Sequence, residues 1–302
     1  MSFSVETLKI LSIEQGLNLD VWYYKPSTDG PHPVVVAGHG LTLVKKAGLA
    51  PFAEAWATEA GYASLVLDYR YFGESDGQPR SLTSLSAQLE DYKTVIAWAR
   101  ARPAQFRTDK IVVMGSASSG LHVASLVAND PQLAGGMAHC PMLDAYAIMS
   151  SGSPNLRILF WAIVDYIKGK LGLKPVFIPA VGRPGKFAFM TTPSSEPGFQ
   201  HMWAETNTPY SQYPNVLTPR LLFEFMAARP GLKLKDTAGR MLVVMAEKDD
   251  LIPASITRDV VAGAAEKVEF VISPGGHFDV VKGGQGYETN IKAQISFLKS
   301  LL

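Results

Sequence analysis

The 302-residue sequence predicts an α/β fold, a mostly parallel central sheet with helices on both faces. Three observations predict it. Short apolar runs alternate with stretches whose apolar residues recur at helical spacing, which implies parallel pairing and right-handed crossovers. Composition is 47% hydrophobic and 18% charged, as in a soluble globular enzyme with a sizeable core. Finally, the apolar run Ile111-Val112-Val113-Met114 enters a turn of small residues and then a helical stretch.

The elements read in order as follows. Residues 5–12 and 17–24 form two strands joined by a turn at Gln15-Gly16, an opening antiparallel hairpin. Residues 33–37 are a short buried strand, 52–60 a helix and 63–68 another strand. Across 85–101, Leu85, Leu89, Tyr92, Ile96 and Ala99 lie on one helical face. The strand into Gly115, a helix over 121–128 and the apolar stretch 135–140 follow. The alternation resumes with strands at 241–246 and 268–272, separated by a helix at 254–263, and closes with an amphipathic helix at 287–302.

Residues 1–142 and 236–302 thus make the core, and 143–235 interrupt it between the sixth and seventh strands. The interruption is rich in aromatic residues and proline. It reads either as a helical insertion with its own small core or as a lid whose Met190, Met202 and Trp203 form an acyl pocket.

Formal net charge is +1 with no basic stripe, which points to neither nucleic acid nor an anionic membrane as partner. The single cysteine, Cys140, excludes an internal disulfide and reads as a buried thiol in a reducing compartment. No basic region followed by an apolar core opens the chain, and the apolar segment 158–167 is too short to span a bilayer. A cytoplasmic location is expected, with a homodimer left open. His32, His122, His139 and His201 lack metal-ligand spacing, and no phosphate-cradling glycine signature occurs, so neither metal nor cofactor is expected.

Gly115-Ser116-Ala117-Ser118-Ser119-Gly120 stands in the strand–turn–helix context of a nucleophile elbow. Such a turn needs small residues two before, two after and three after the nucleophile, because strand and helix backbones pass close together. Those places fall on Gly115, Ser119 and Gly120, which puts Ala117 at the nucleophile position. Alanine has no atom with which to attack.

The remaining parts of an acyl-transfer site have candidates in a consistent chain order. His277, in Ser273-Pro274-Gly275-Gly276-His277, is the candidate base on a glycine-rich loop after the last strand. Asp249, after the strand at 241–246, is the candidate orienting acid, Asp250 a helix cap and Asp144 a weaker alternative acid. Asp279 reads as a solvated loop residue. The oxyanion donors would be the backbone N–H groups of Ser118 and Leu41, with His39 bracing the Gly38-His39-Gly40 turn.

On Gly38-His39-Gly40-Leu41, the stretch 68–77 (Asp68-Tyr69-Arg70-Tyr71-Phe72-Gly73-Glu74-Ser75-Asp76-Gly77), the elbow, Asp249 and His277-Phe278-Asp279, the chain resembles an α/β-hydrolase. The branch is the dienelactone-hydrolase-like one with a helical lid, and within it the chain is similar to fungal hydrolases and acyltransferases of polyketide assembly. The resemblance covers nearly the whole chain. It implies a hydrolase or acyltransferase acting on an ester, lactone or thioester, with a small-molecule acyl substrate that a carrier protein can present. It also implies that 68–77 is a structural turn. Ala117 departs from the family's serine. Three readings stand open: a Ser→Ala replacement in an otherwise complete enzyme, a natural pseudo-hydrolase that binds an acyl ligand or uses Asp249 and His277 for proton transfer, or attack by Ser118 or Ser116.

Overall fold

The computed structural model describes residues 2–152 and 154–302. Strands β1 (Phe3–Leu11) and β2 (Asn18–Pro26) pair antiparallel as the opening hairpin. There follow β3 (His32–Gly38), helix α1 (Ala50–Ala55), β4 (Ala63–Leu67), α2 (Leu85–Arg100), β5 (Phe106–Ser116), α3 (Gly120–Asn129) and β6 (Gly135–His139). The interruption holds α4 (Ala145–Ser150), α5 (Leu156–Lys170), α6 (Ser195–Ala204) and α7 (Leu221–Ala227). Strand β7 (Arg240–Ala246), α8 (Ala254–Gly263), β8 (Val268–Ser273) and α9 (Tyr287–Ser300) complete the chain.

The eight strands form one sheet in the order β1-β2-β4-β3-β5-β6-β7-β8. From β4 onward every pairing is parallel, while β1 with β2 and β2 with β4 are antiparallel. The central strands are covered on both faces, which is why Val34, Val35, Val36, Ile111, Val112 and Val113 are apolar without alternation and fully buried. The order reverses at β3, which lies between β4 and β5, and a crevice opens there at the carboxyl ends of the strands. Every candidate site residue of the core lies at that edge.

Glycines let the helices close on the sheet. A Cβ at Gly136 would come within 2.6 Å of Val127 and 2.7 Å of Val123, so α3 lies directly on β6. The helix expected over 52–60 is α1 followed by a wider π-helical turn, Trp56–Ala60, which ends at Gly61 in the left-handed conformation (φ 71°).

Ion pairs to buried carboxylates tie the interruption to itself. Asp165 of α5 accepts from Arg220 through Nε (2.6 Å) and Nη2 (2.7 Å), joining α5 to the start of α7. Asp144 caps α4 by accepting from Ala147 N and is held by Arg229 at 2.8 Å. Asp144 is therefore committed to the helix cap and to Arg229, which removes it as an alternative acid for His277. No helix among the described residues is long and apolar enough to cross a membrane.

Candidate active site

The elbow is built by close approach. A Cβ at Gly115 would lie 2.6 Å from the Ser119 carbonyl oxygen, and one at Gly120 would lie 2.5 Å from Pro141 Cβ. Only glycine fits either place. Strand β5 ends at Ser116, and Ala117 takes φ +48°, the left-handed region that non-glycine residues seldom occupy. Residues Ala117–Ser119 make a single 3₁₀ turn that runs directly into α3. Ser118 is buried in that turn, where the first N–H groups of a helix have no intrahelical acceptor.

The loop after β3 lies against the elbow, so close that a Cβ on Gly40 would stand 3.2 Å from that of Ala117. His39 is buried and holds this loop from inside: its Nε2 donates to Ala47 O (2.6 Å) and its Nδ1 accepts from Gly40 N (2.7 Å). Burial lowers its pKa to about 4, so it stays neutral, as both bonds require. Gly40 N–H is thus taken by His39, and the next residue, Leu41, lines the cavity. Ser119 adds a second brace, donating to His39 O at 2.5 Å while paired with Tyr69 OH at 2.5 Å.

Farther along, the same loop is pinned by charge. Lys45 is wholly buried, with Nζ 2.5 Å from Asp68 and 2.6 Å from Asp20. Asp68 also accepts from the N–H groups of Lys45 (2.8 Å) and Glu74 (3.0 Å). The stretch 68–77 is thus a hydrogen-bonded turn that anchors the loop and carries no reacting group. A Cβ at Gly73 (φ 52°) would fall 2.1 Å from the Asp68 carboxylate, so the turn demands glycine there.

At the ends of β7 and β8, His277 Nδ1 lies 2.8 Å from Asp249 Oδ2. The other oxygen of Asp249 accepts from Leu251 N (2.9 Å) and Ile252 N (2.8 Å), which fixes the carboxylate plane. This leaves His277 Nε2 as the nitrogen available to a substrate or nucleophile.

Two neighbouring acids differ from expectation. Asp250 does not cap α8, whose N-cap is Pro253 without a side-chain bond. It accepts instead from Ser194 N (3.0 Å) and Ser194 Oγ, tying this loop to the start of α6. Asp279 is no solvated residue: its carboxylate accepts from Gly276 N at 2.7 Å and closes the His277 loop.

Ala117, His277, His39 and Leu41 line one cavity of about 50 Å³ with Ser116, Met190, Phe199, Met202 and Leu251 among its other walls. Met190 and Met202 line this cavity. Trp203 does not. Successive residues of a helix point about 100° apart, so when Met202 of α6 faces the cavity, Trp203 turns away, packing on Tyr213 with ring centroids 5.0 Å apart. Ser118 is absent from the cavity wall as well.

Comparison with known proteins decides the family. Residues 15–173, more than half of the chain, match the model of the X-Pro dipeptidyl-peptidase (S15) family. The chain belongs to that family. Among relatives of this S15-family protein, the quorum-quenching protein AidA of Acinetobacter baumannii is 32% identical over 93% of this chain and 90% of its own. A polyketide transferase of Aspergillus fumigatus is 24% identical, with 95% of each chain covered. A thiohydrolase of Eupenicillium brefeldianum is 26% identical over 94% of this chain and 91% of its own.

Solved structures agree on the fold. DcsB in complex with its substrate analogue superposes with a TM-score of 0.80 at 21% identity, covering 99% of this chain and 100% of DcsB. The α/β-hydrolase GrgF of Penicillium superposes with a TM-score of 0.79 at 23% identity, covering 98% of each chain. The S15-family chain is a hydrolase-type enzyme with the α/β-hydrolase fold.

One neighbour of the site was not foreseen as such. Cys140, which directly follows β6 at φ +44°, has its sulfur within 4.8 Å of the Asp249 oxygen and the His277 nitrogen. Burial pushes its thiol well above the ordinary range, and the Asp249 charge adds to the shift. The only sequence signal was its place at the end of the strand between the elbow and the acid.

Proposed function

We propose that this fold is built for acyl transfer from an ester, lactone or thioester, and that Ala117 stands where the attacking serine would be. The observation that carries the reading is Ala117 itself. It holds the left-handed backbone of an elbow (φ +48°) while sharing a cavity with His277, which is bonded to Asp249, and with the Leu41 loop. A residue is kept in that conformation only where its surroundings enforce it. An elbow without a nucleophile supplies every other part of the chemistry.

With serine at 117, His277 Nε2 would take the hydroxyl proton as the oxygen attacks the acyl carbon. Asp249 would hold Nδ1–H and stabilise the imidazolium. The oxyanion would fall between the N–H groups of Leu41 and Ser118. Return of the proton to the leaving group would give an acyl-enzyme, which passes to water, an alcohol or an amine. Ser118 is the poorer nucleophile because it does not line the cavity. The relatives described as a polyketide transferase and a thiohydrolase support a polyketide-type acyl thioester or ester as substrate, free or presented by a carrier protein. The interruption at 143–235 would serve as the lid, since Met190, Phe199 and Met202 from it close the cavity.

The test is Ala117→Ser, followed by intact-mass spectrometry with acyl thioesters and esters and by a fluorophosphonate probe. A single adduct on the serine form, absent from the chain as it stands, supports the reading. Labelling of the alanine chain would move the nucleophile to Ser116. No adduct and no turnover in the serine form would leave Asp249 and His277 to proton transfer on a bound ligand.

A further inference from the structure

The cavity at Ala117 is too small for the substrates that the site invites. At about 50 Å³ it is far smaller than the pockets that hold whole small-molecule ligands. A second cavity of about 600 Å³ lies beside it, walled by α4, α5, α7 and the segment around Phe189. That volume falls in the range of sites for small molecules, roughly 300–1,000 Å³. Its walls are mostly apolar, with Met149, Ile158, Phe189 and Leu222 among them.

The two spaces share a wall. Leu251 lines both, and Met190 lines the first while its neighbours Phe189 and Thr191 line the second. Leu251 is half-buried, and its N–H is bonded to Asp249, so the loop that carries the acid also sets this partition in place. Two flexible aliphatic side chains, Leu251 and Met190, thus stand between the reacting centre and the larger chamber.

We propose that the 600 Å³ chamber receives the apolar acyl chain of the substrate and that Leu251 is the partition the chain must pass, so that Leu251 sets the accepted chain length and branching. The inference rests on the acyl-transfer reading, which supplies the carbonyl carbon at 117. Burial of each methylene favours the longer chain by about fourfold until the chamber is full. A bulkier wall shortens the profile; a smaller partition widens it.

The experiment uses the Ala117→Ser form and kcat/KM for methyl esters from acetyl to decanoyl, with acetates of matching alcohols as the second series. Met149→Trp should lower the decanoyl-to-acetyl ratio at least tenfold, and Leu251→Ala should shift the optimum to longer or branched acyl groups. The ratio is unaffected by the fraction of active protein, so a folding defect cannot mimic the result. Unchanged ratios in both variants, or a length dependence confined to the alcohol series, overturn the assignment. If the serine form is inactive, calorimetric binding of decanoyl and acetyl methyl esters to the alanine chain tests the chamber by itself. Tighter decanoyl binding that Met149→Trp weakens then supports the chamber while acyl transfer falls; equal binding of both esters overturns it.

Discussion

Ala117 occupies φ +48° at the tip of the elbow, and that conformation costs an L-residue roughly 1–2 kcal/mol. Glycine has no such penalty but orders at an entropic cost of about 0.5–1 kcal/mol. We predict that Ala117→Gly stabilises the fold by up to about 1 kcal/mol, read as a higher denaturation midpoint at constant slope. A lower midpoint would mean that the alanine methyl contributes more by packing than its backbone loses by strain. His277 and His39 separate in the same way. In the Ala117→Ser form, His277→Ala should abolish most turnover, by on the order of 10⁴-fold or more. His39→Ala should act through loop order, with the larger effect on stability, since its ring bonds only Ala47 and Gly40. Equal losses of turnover in two folded variants would reassign the base. The residues of this site are short-range features of loops after strands, which is why Ala117, Asp249, His277 and the role of His39 can be read from spacing. Asp250 cannot, because its partner Ser194 comes from a separate element; Asp279 bonds Gly276 within its own loop, a contact that the spacing permits but does not single out.

At the scale of elements, the strands are legible because burial on both faces writes continuous apolar runs into the sequence, and the helices because one face must be apolar. What the pattern leaves unsaid is rotation. Met202 and Trp203 are equally apolar neighbours, and only the docking of α6 onto the His277 loop decides which faces the cavity. That docking is tight: a Cβ at Gly198 of α6 would lie 2.0 Å from the Phe278 ring. The buried lysine was equally silent in the sequence. Lys45 lies between Asp20 and Asp68 with no exposed side-chain surface, and it joins the loop after β3 to the 68–77 turn. Removing one partner of a buried ion pair strands the others, typically at 3–5 kcal/mol. We predict that Lys45→Met lowers unfolding free energy by about that amount in urea titrations. A loss below about 1 kcal/mol would show that water or Lys9, which already reaches Asp20 at 2.9 Å, replaces the lost charge.

At the scale of the whole molecule, the buried histidines link folding to pH. Burial lowers His39 to a pKa of about 4 and His122 and His139 to about 3. In the unfolded chain each titrates near 6.5, so their contribution is complete above that pH and is lost as pH falls below it. Well below 6.5 each histidine costs ~1.4 kcal/mol per pH unit until its folded pKa is reached. Asp91 works the other way. Its carboxyl is raised to about 6 by burial, against the pull of Arg70, so the fold holds a proton there that the unfolded chain releases, and acid favours the fold between roughly pH 6 and 4. For these four groups, three protons taken up on unfolding against one released leave a net of two near pH 5, a slope of about 3 kcal/mol per pH unit, and His32, which burial also lowers, adds to it. We therefore predict that stability measured by denaturant falls steeply from pH 6 to 5 and little from 7.5 to 7. His122→Gln should make the fall shallower by up to about half, because one of the net protons taken up on unfolding is removed. A flat profile down to pH 5, or one that His122→Gln leaves unchanged, would mean that these rings protonate inside the fold and that the sheet's carboxyl edge is wetter than its packing indicates.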